Sequence, residues 1–562
     1  MSTVLGAFLE LVDAQPDAHA VMVKRYGLWQ QTTRQQFAER VAATADGLAA
    51  LGVGPGATVL LAGADQLEWL QVDLAVQATG ARVCAVAPGE PDDVFLRIVR
   101  AAGAGIVFAT DQETVDRLLD LANAGSITLD HVLEHRPTAS AAPRDRRVVT
   151  LDEIVARGEA NLADLRDRVA ALRPDSVAVV AVSSGTVAAP HVVELVHGAL
   201  LAGARGVVQA LGLGPQDRVL SYRPLADPTE RTATIYASLL SGALLALPES
   251  RSQTALAMYE VAPTYVHVTR RWLDRTTSEV RSRMAASRGI KRLVSRGWLR
   301  RSDTGDQVAA AGPLLRVPIV EKLGLDKVRA LVVSGSPMGE RERSFATAMR
   351  LPIRNAYALT ELGGLATLAA VDATGDDCGT PLSGVEVGID ERGQVVLTGP
   401  AVSGAPVVTG DLGEVTGGSL RLLGRVGESV EVRGVEVPLL QLEHALRRSP
   451  YVREAAATTA GGRTVVTVEL GQEAVARWAS AQGLTFATFH ALADTDEVRR
   501  LVEGEVASLA ASAGLESVDE LRILSIPLED VPGALTASGR IRRDVVVAAG
   551  RVTGDPSPAP AV

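Results

Sequence analysis

The sequence predicts an α/β protein, with a large N-terminal lobe of helix-flanked sheets followed by a small α+β C-terminal domain. Three observations carry the prediction. Strand-like and helix-like segments alternate through the first part of the chain, the signature of parallel sheets covered by helices. After Gly399-Pro400 the texture changes to short β-like segments separated by glycine turns, including Gly417-Gly418. The chain has 562 residues, 47% of them hydrophobic and 22% charged, which suits a folded protein of several roughly 150-residue units and not a disordered one.

Taken in order, Phe8 to Leu51 carries mostly helical apolar spacing, with Ala43, Leu48 and Leu51 on one stripe that stops at Gly52. A strand over Thr58 to Ala62, a helix over Gln66 to Thr79 and a strand over Arg82 to Ala87 follow. Ile106 to Ala109 and Val177 to Val182 read as further strands, and the Ala-, Pro- and Arg-rich stretch Thr138 to Arg147 reads as a surface loop. Near the C-terminus, Leu439 to Arg448 reads as a helix and Thr464 to Glu469 as a strand. Asp555 to Val562 holds three prolines and reads as a disordered tail.

Composition excludes several classes. A net charge of −10 and only 3% aromatic residues argue against nucleic acid as a partner, which needs basic surfaces and stacking platforms. Cys84 and Cys378 have no metal-ligand spacing and cannot build a disulfide framework, so a reducing, cytoplasmic setting is expected. The first seventeen residues lack the basic start of a signal peptide, and no apolar run reaches the ~20 residues of a membrane span.

Three short segments carry chemistry. Val182-Ser-Ser-Gly-Thr186 is a strand running into a small-residue turn, where backbone N–H groups and hydroxyls can face phosphate oxygens. Asn355-Ala-Tyr-Ala-Leu-Thr-Glu-Leu-Gly363 offers a flat ring at Tyr357, a hydroxyl at Thr360 and a hard oxygen ligand at Glu361. Thr409-Gly-Asp-Leu-Gly413 places a carboxylate in a glycine turn, able to grip a ribose diol or simply to support the turn. Alone, each reads first as an ordinary strand exit, helix start or Asp-supported turn.

In this order and spacing, together with Ser334-Gly-Ser-Pro-Met338, Gly424-Arg-Val-Gly-Glu428 and Thr536-Ala-Ser-Gly-Arg-Ile-Arg-Arg543, the segments resemble the adenylate-forming (AMP-binding) superfamily of acyl-CoA synthetases, peptide-synthetase adenylation domains and luciferases. The resemblance spans nearly the whole chain. It implies a two-step reaction: a carboxylate attacks the α-phosphorus of ATP to give an acyl-adenylate and pyrophosphate, and coenzyme A then takes the acyl group, with Mg2+ as cofactor.

On that template Ser184, Gly185 and Thr186 cradle phosphate, and Gly335 and Ser336 lie on the adenine side. Tyr357 stacks on adenine, Thr360 touches the α-phosphate, and Glu361 holds Mg2+. Asp411 and Arg425 bind the ribose, Gly427 sits at the hinge, and Arg540 takes the place of the active-site lysine. The implied division is a large domain over 1–424, a small mobile domain over 425–548 and a tail over 549–562.

Arg223-Pro-Leu-Ala-Asp-Pro-Thr-Glu-Arg231 and Pro263-Thr-Tyr-Val-His-Val-Thr-Arg-Arg-Trp272 resemble the long-chain branch, implying a fatty acid or another carboxylate as substrate. The stretch Arg270 to Arg301 holds eleven Lys or Arg against two acids, +9 in an acidic chain. It reads either as a solvated basic face or as a surface for an anionic membrane or an acidic partner.

Departures cluster on the chemistry. The phosphate loop has Val187, Ala188, His191 and Val192 where the family has Thr, Gly, Lys and Gly. Arg540 keeps a positive charge but replaces a compact ammonium with a planar fork, and Asp227 stands at the substrate-gating histidine. An impaired relative that binds nucleotide or acyl-CoA, or scaffolds a partner, is therefore the alternative to a working ligase.

Overall fold

The computed structural model describes residues 2–63, 67–135, 145–182, 191–285, 312–336, 338–371, 373, 377–432, 435–460, 463–512, 518–524, 526–535 and 541–552. Residues up to Arg425 form a large lobe with two sheets. In the first, seven strands run in the order Val148–Thr150, His131–Glu134, Ile106–Ala109, Thr58–Ala62, Arg82–Ala85, Val177–Val182 and Val192–Val196. All its neighbours pair in parallel except the last two.

The second sheet has thirteen strands. Its parallel block runs from Ile353–Leu359 through Ala330–Ser334, Tyr265–Thr269, Arg218–Leu220 and Leu244–Leu247 to His19–Arg25. Leu28–Thr33 closes one edge, and antiparallel strands from Gly364–Leu368 onward extend the other. Both faces of the parallel block are buried, so its strands are continuous apolar runs such as Ala330-Leu-Val-Val. At Gly379, φ +86, an added Cβ would sit about 2.0 Å from the backbone of Leu368, so the strand Asp377–Pro381 can approach its neighbour only with glycine there.

The stretch from Phe8 to Leu51 differs from its expected helix. Helices Val4–Ala14 and Arg34–Ala50 flank a hairpin of His19–Arg25 and Leu28–Thr33. The turn is Tyr26-Gly27, both with positive φ, +50 and +77, the tight two-residue hairpin geometry. Tertiary pairing decides the matter, because Val21, Met22 and Val23 lie beside Leu245, Ala246 and Leu247.

The remaining residues form what we call the C-terminal lobe. A hairpin of Ser429–Val432 and Val435–Pro438 leads to the helix Leu439–Leu446 and a sheet of Val452–Ala460, Arg463–Leu470, Glu520–Leu524 and Arg551–Val552. This lobe has its own apolar core, with Leu442, Leu446, Val466, Val468 and Val502 fully buried. Residues 549–552, expected to begin a tail, instead finish the helix Arg543–Ala549 and add a short strand, since Arg522 and Ile523 offer an edge to Val552 and Arg551.

Several expectations fall outside the described residues: Ser184, Gly185 and Thr186 of the phosphate loop, Arg540, most of the loop at 138–147, the basic stretch from residue 286, and the tail beyond 552.

Candidate active site

Two neighbouring parallel strands of the large sheet end in small polar residues, and ligands of open α/β sheets bind at such carboxyl ends. Thr269 ends one strand and Ser334 the next, with Gly335 turning the chain away at φ +91. These residues and Ser336 form one wall of a cleft of about 180 Å³. Asn355 to Ala358, Asp411, Leu422 and Arg425 continue that wall, and the C-terminal lobe supplies the opposite one through Glu443, Arg447, Glu454, Ile541 and Arg543.

Within the cleft, the Tyr357 hydroxyl donates to Asp411 Oδ2 at 2.5 Å, and Arg425 Nη1 lies 3.9 Å from Asp411 Oδ1. Asp411 and Arg425 are cross-strand partners, so the sheet itself fixes their approach. The Thr409 hydroxyl accepts the Asp411 N–H at 3.1 Å and donates to the Val395 carbonyl at 3.0 Å. The result is a flat ring, a carboxylate and a half-exposed guanidinium on one rigid wall.

Thr360 and Glu361 follow that strand in a turn closed by Gly363 N–H on the Thr360 carbonyl at 2.9 Å; neither lines the cleft. Glu361 instead meets His191, with Nε2 3.1 Å from Oε1. The residue standing where the family has its phosphate-loop lysine therefore touches the carboxylate expected to hold metal. Gly427, φ +75, connects the lobes just before Glu428, itself part of the cleft lining.

Sequence reasoning missed the charged side of the cleft. Arg270 is buried and bridges Glu342 of its own lobe, at 3.1 Å, to Glu454 of the other. Glu454 also accepts from Arg447 at 2.8 Å. Burial, and then the neighbouring Arg270, push Arg447 down to about 9. His444, on the same helix, is pushed down to about 3 by burial, with Arg447, Arg270 and Arg343 adding to it. Arg271 pairs with Glu529, and Arg453 joins Asp274 and Glu469, both at 2.9 Å. Thus the start of the basic stretch at 270–301 meets acids of this same chain. No local pattern marks Glu454, because its partner Arg270 lies some 180 residues away in sequence.

Asp227, expected at a substrate gate, is buried and engaged: it accepts from Arg223 Nη2 at 2.6 Å and from the Thr229 N–H at 3.0 Å. Arg223 also contacts His267, whose Nε2 lies 2.8 Å from the Ser334 hydroxyl on the cleft wall. Glu230 in this cluster is pushed up to about 7 by burial, and His267 is held well below its usual value for the same reason.

Beside it, the π-helical turn Arg231–Tyr236 brings both of its ends onto Asp73, the i to i+5 spacing of that helix. Arg231 pairs with Asp73, and the Tyr236 hydroxyl donates to Asp73 at 2.9 Å. Neither cysteine is in a disulfide and both are buried, and burial pushes the Cys84 thiol up to about 12. Among the described residues there is no cluster of three metal-ligating side chains and no helix long and apolar enough to cross a membrane.

Known proteins share this fold. Over 92% of this chain and 91% of its own length, a long-chain-fatty-acid-CoA ligase of Mycobacterium tuberculosis is 26% identical. The ATP-bound MatB structure from Rhodopseudomonas palustris superposes with a TM-score of 0.70 at 16% identity, covering 97% of this chain and 98% of that one. The o-succinylbenzoate CoA synthetase of Bacillus subtilis, with its acyl-adenylate intermediate, gives 0.67 at 15% identity over 96% and 97%. The profile of the AMP-binding enzyme family matches residues 8–414, which include the strand ends and Asp411 just described. The chain therefore belongs to the family of AMP-binding enzymes.

Proposed function

We propose that the protein is an acid-thiol ligase that uses ATP to convert a fatty acid, long-chain in the first instance, or a similar carboxylate into an acyl-adenylate and then an acyl-CoA. The observation that carries the reading is the joined wall of Tyr357, Asp411 and Arg425 facing a cleft at the strand ends. It offers a face for a base and charged groups for a ribose. Family membership and the ligase names of its relatives favour this over the non-catalytic alternative.

In this reading Gly335 and Ser336 border the adenine, and Thr360 meets the α-phosphate. Ser184, Gly185 and Thr186 meet the outer phosphates, and Gly427 is the hinge of a small domain beginning at Arg425. Arg540 supplies positive charge to the developing phosphorane; such preset charge is the largest lever in phosphoryl chemistry. Glu361 would hold Mg2+ as a single hard oxygen ligand, leaving the other positions to phosphate oxygens and water, the usual way this ion is bound. The ion would neutralise charge on the phosphates. Coenzyme A is the proposed acceptor, and cytoplasmic residence the proposed setting.

Purified protein given ATP, Mg2+ and fatty acids of graded length should release pyrophosphate, and with coenzyme A should form acyl-CoA. ATP binding with neither product at any chain length would overturn the ligase reading.

A further inference from the structure

Two adjacent arginines leave the cleft in opposite directions. Ile541 lines the cleft and is bridged to Leu535. Arg543 turns back into its own lobe, onto Glu443 at 2.8 Å and 3.1 Å and Glu428 at 2.8 Å. Arg542 turns outward and crosses to the large lobe, where its Nη2 meets Glu90 Oε2 at 3.0 Å.

The side chains of Arg542 and Glu90 are each 9% exposed, so the pair is desolvated and not a rim contact. The Glu90 side is rigid. Arg117 donates to the Glu90 carbonyl at 3.1 Å, pairs with Asp92 at 2.5 Å and lies over the Phe95 ring at 4.1 Å. On the other side, Arg542 N–H donates to the Ala534 carbonyl at 2.8 Å, and Gly533 comes up against Pro91.

We propose that Arg542 is a positioning residue for acyl-adenylate formation: with Glu90 it docks the cleft-lining residues Ile541 and Arg543 onto the large lobe. The proposal rests on the ligase reading for its kinetic consequence only. A buried charged hydrogen bond with one rigid partner selects a single docking of the lobe, and catalytic groups tolerate little displacement. Arg542 touches no reacting atom; it acts through the segment it anchors.

The test uses Arg542→Gln, Glu90→Gln and the exchanged pair Arg542→Glu with Glu90→Arg in the full-length protein. Each single change should slow pyrophosphate release about tenfold while leaving thioester formation from supplied acyl-adenylate within about twofold. The exchanged pair should recover to within about threefold of wild type. Equal loss in both steps, or no recovery by the exchange, overturns the proposal. A wild-type protein that releases no pyrophosphate defeats the ligase reading instead. Docking is then judged by amide hydrogen exchange, which Glu90→Gln should quicken over residues 531–535 and 541–543 and not in the strand Ala330–Ser334; unchanged exchange there overturns it.

Discussion

Asp73 and Glu454 are both buried carboxylates held by arginines of the large lobe, but they lie in different settings. Asp73 sits wholly inside the large lobe, with Arg231, Tyr236 and Gln77 all from the same lobe. Glu454 belongs to the C-terminal lobe and takes Arg270 from across the cleft as well as its own Arg447. An unpaired charge at the first position has no route to water short of unfolding. At the second, the carboxylate lies at the contact between the two lobes and not in the core of either. The same ion-pair chemistry thus secures a fold in one place and an arrangement in the other.

The largest effect should fall on the inner pair. Arg231→Met strands the Asp73 carboxylate in the core and should cost about 3–5 kcal/mol, read as a lower midpoint of urea unfolding. If Arg270→Met costs as much by that measure, the distinction between the two regions fails.

Acid comes next. Burial pushes His197 down to about 4 and His444 to about 3, whereas both take up a proton near pH 6.5 once exposed. A depressed folded value means the stabilisation is present above pH 6.5 and is lost as pH falls toward 4, at about 1.4 kcal/mol per unit for each group. For His197 the loss should appear as unfolding. For His444, beside Arg270 and Arg447, it should appear first as parting of the lobes, visible by small-angle scattering before the unfolding transition, and His444→Gln should remove it.

Arg270→Met should weaken docking by about 2–3 kcal/mol, seen as faster proteolysis near the connection at 425–428 with the unfolding midpoint of the large lobe unchanged. The smallest effect belongs to the nucleoside wall. Asp411→Asn keeps the shape but removes the charge, and should weaken ATP binding about tenfold, or about 1.4 kcal/mol, by calorimetric titration while the melting temperature holds.

Much of the first wall was legible in the sequence because its residues lie in short recognisable segments: Tyr357 lies in a strand, and Asp411, expected in a glycine turn, lies in the strand Val407–Thr416 with Arg425 directly opposite it in the neighbouring strand. Short apolar runs alternating with helical segments likewise locate the strands Thr58–Ala62, Ile106–Ala109 and Val177–Val182 at their observed bounds. The second wall was not legible. Arg270, Glu342 and Glu454 come from three elements and Arg447 from the turn after a fourth, and they meet only after both lobes have formed. The hairpin at 19–33 was hidden for a related reason: its strands are specified by Leu244–Leu247, more than two hundred residues away. The substitution of Asp227 for histidine pointed to a changed substrate gate, whereas the side chain is taken up by Arg223, itself an arginine that sequence reasoning had not singled out.

That distant pairing has a consequence for how the protein is made. His19–Arg25 is the last parallel strand of the thirteen-stranded sheet, and its parallel neighbour Leu244–Leu247 leaves the ribosome some 220 residues later. At about 5–20 residues per second the apolar strand Ala20-Val-Met-Val23 waits roughly ten to forty-five seconds for that neighbour, paired only with its own hairpin mate. During that interval the Tyr26-Gly27 turn, by pairing the strand with Leu28–Thr33, leaves one of its two edges already covered.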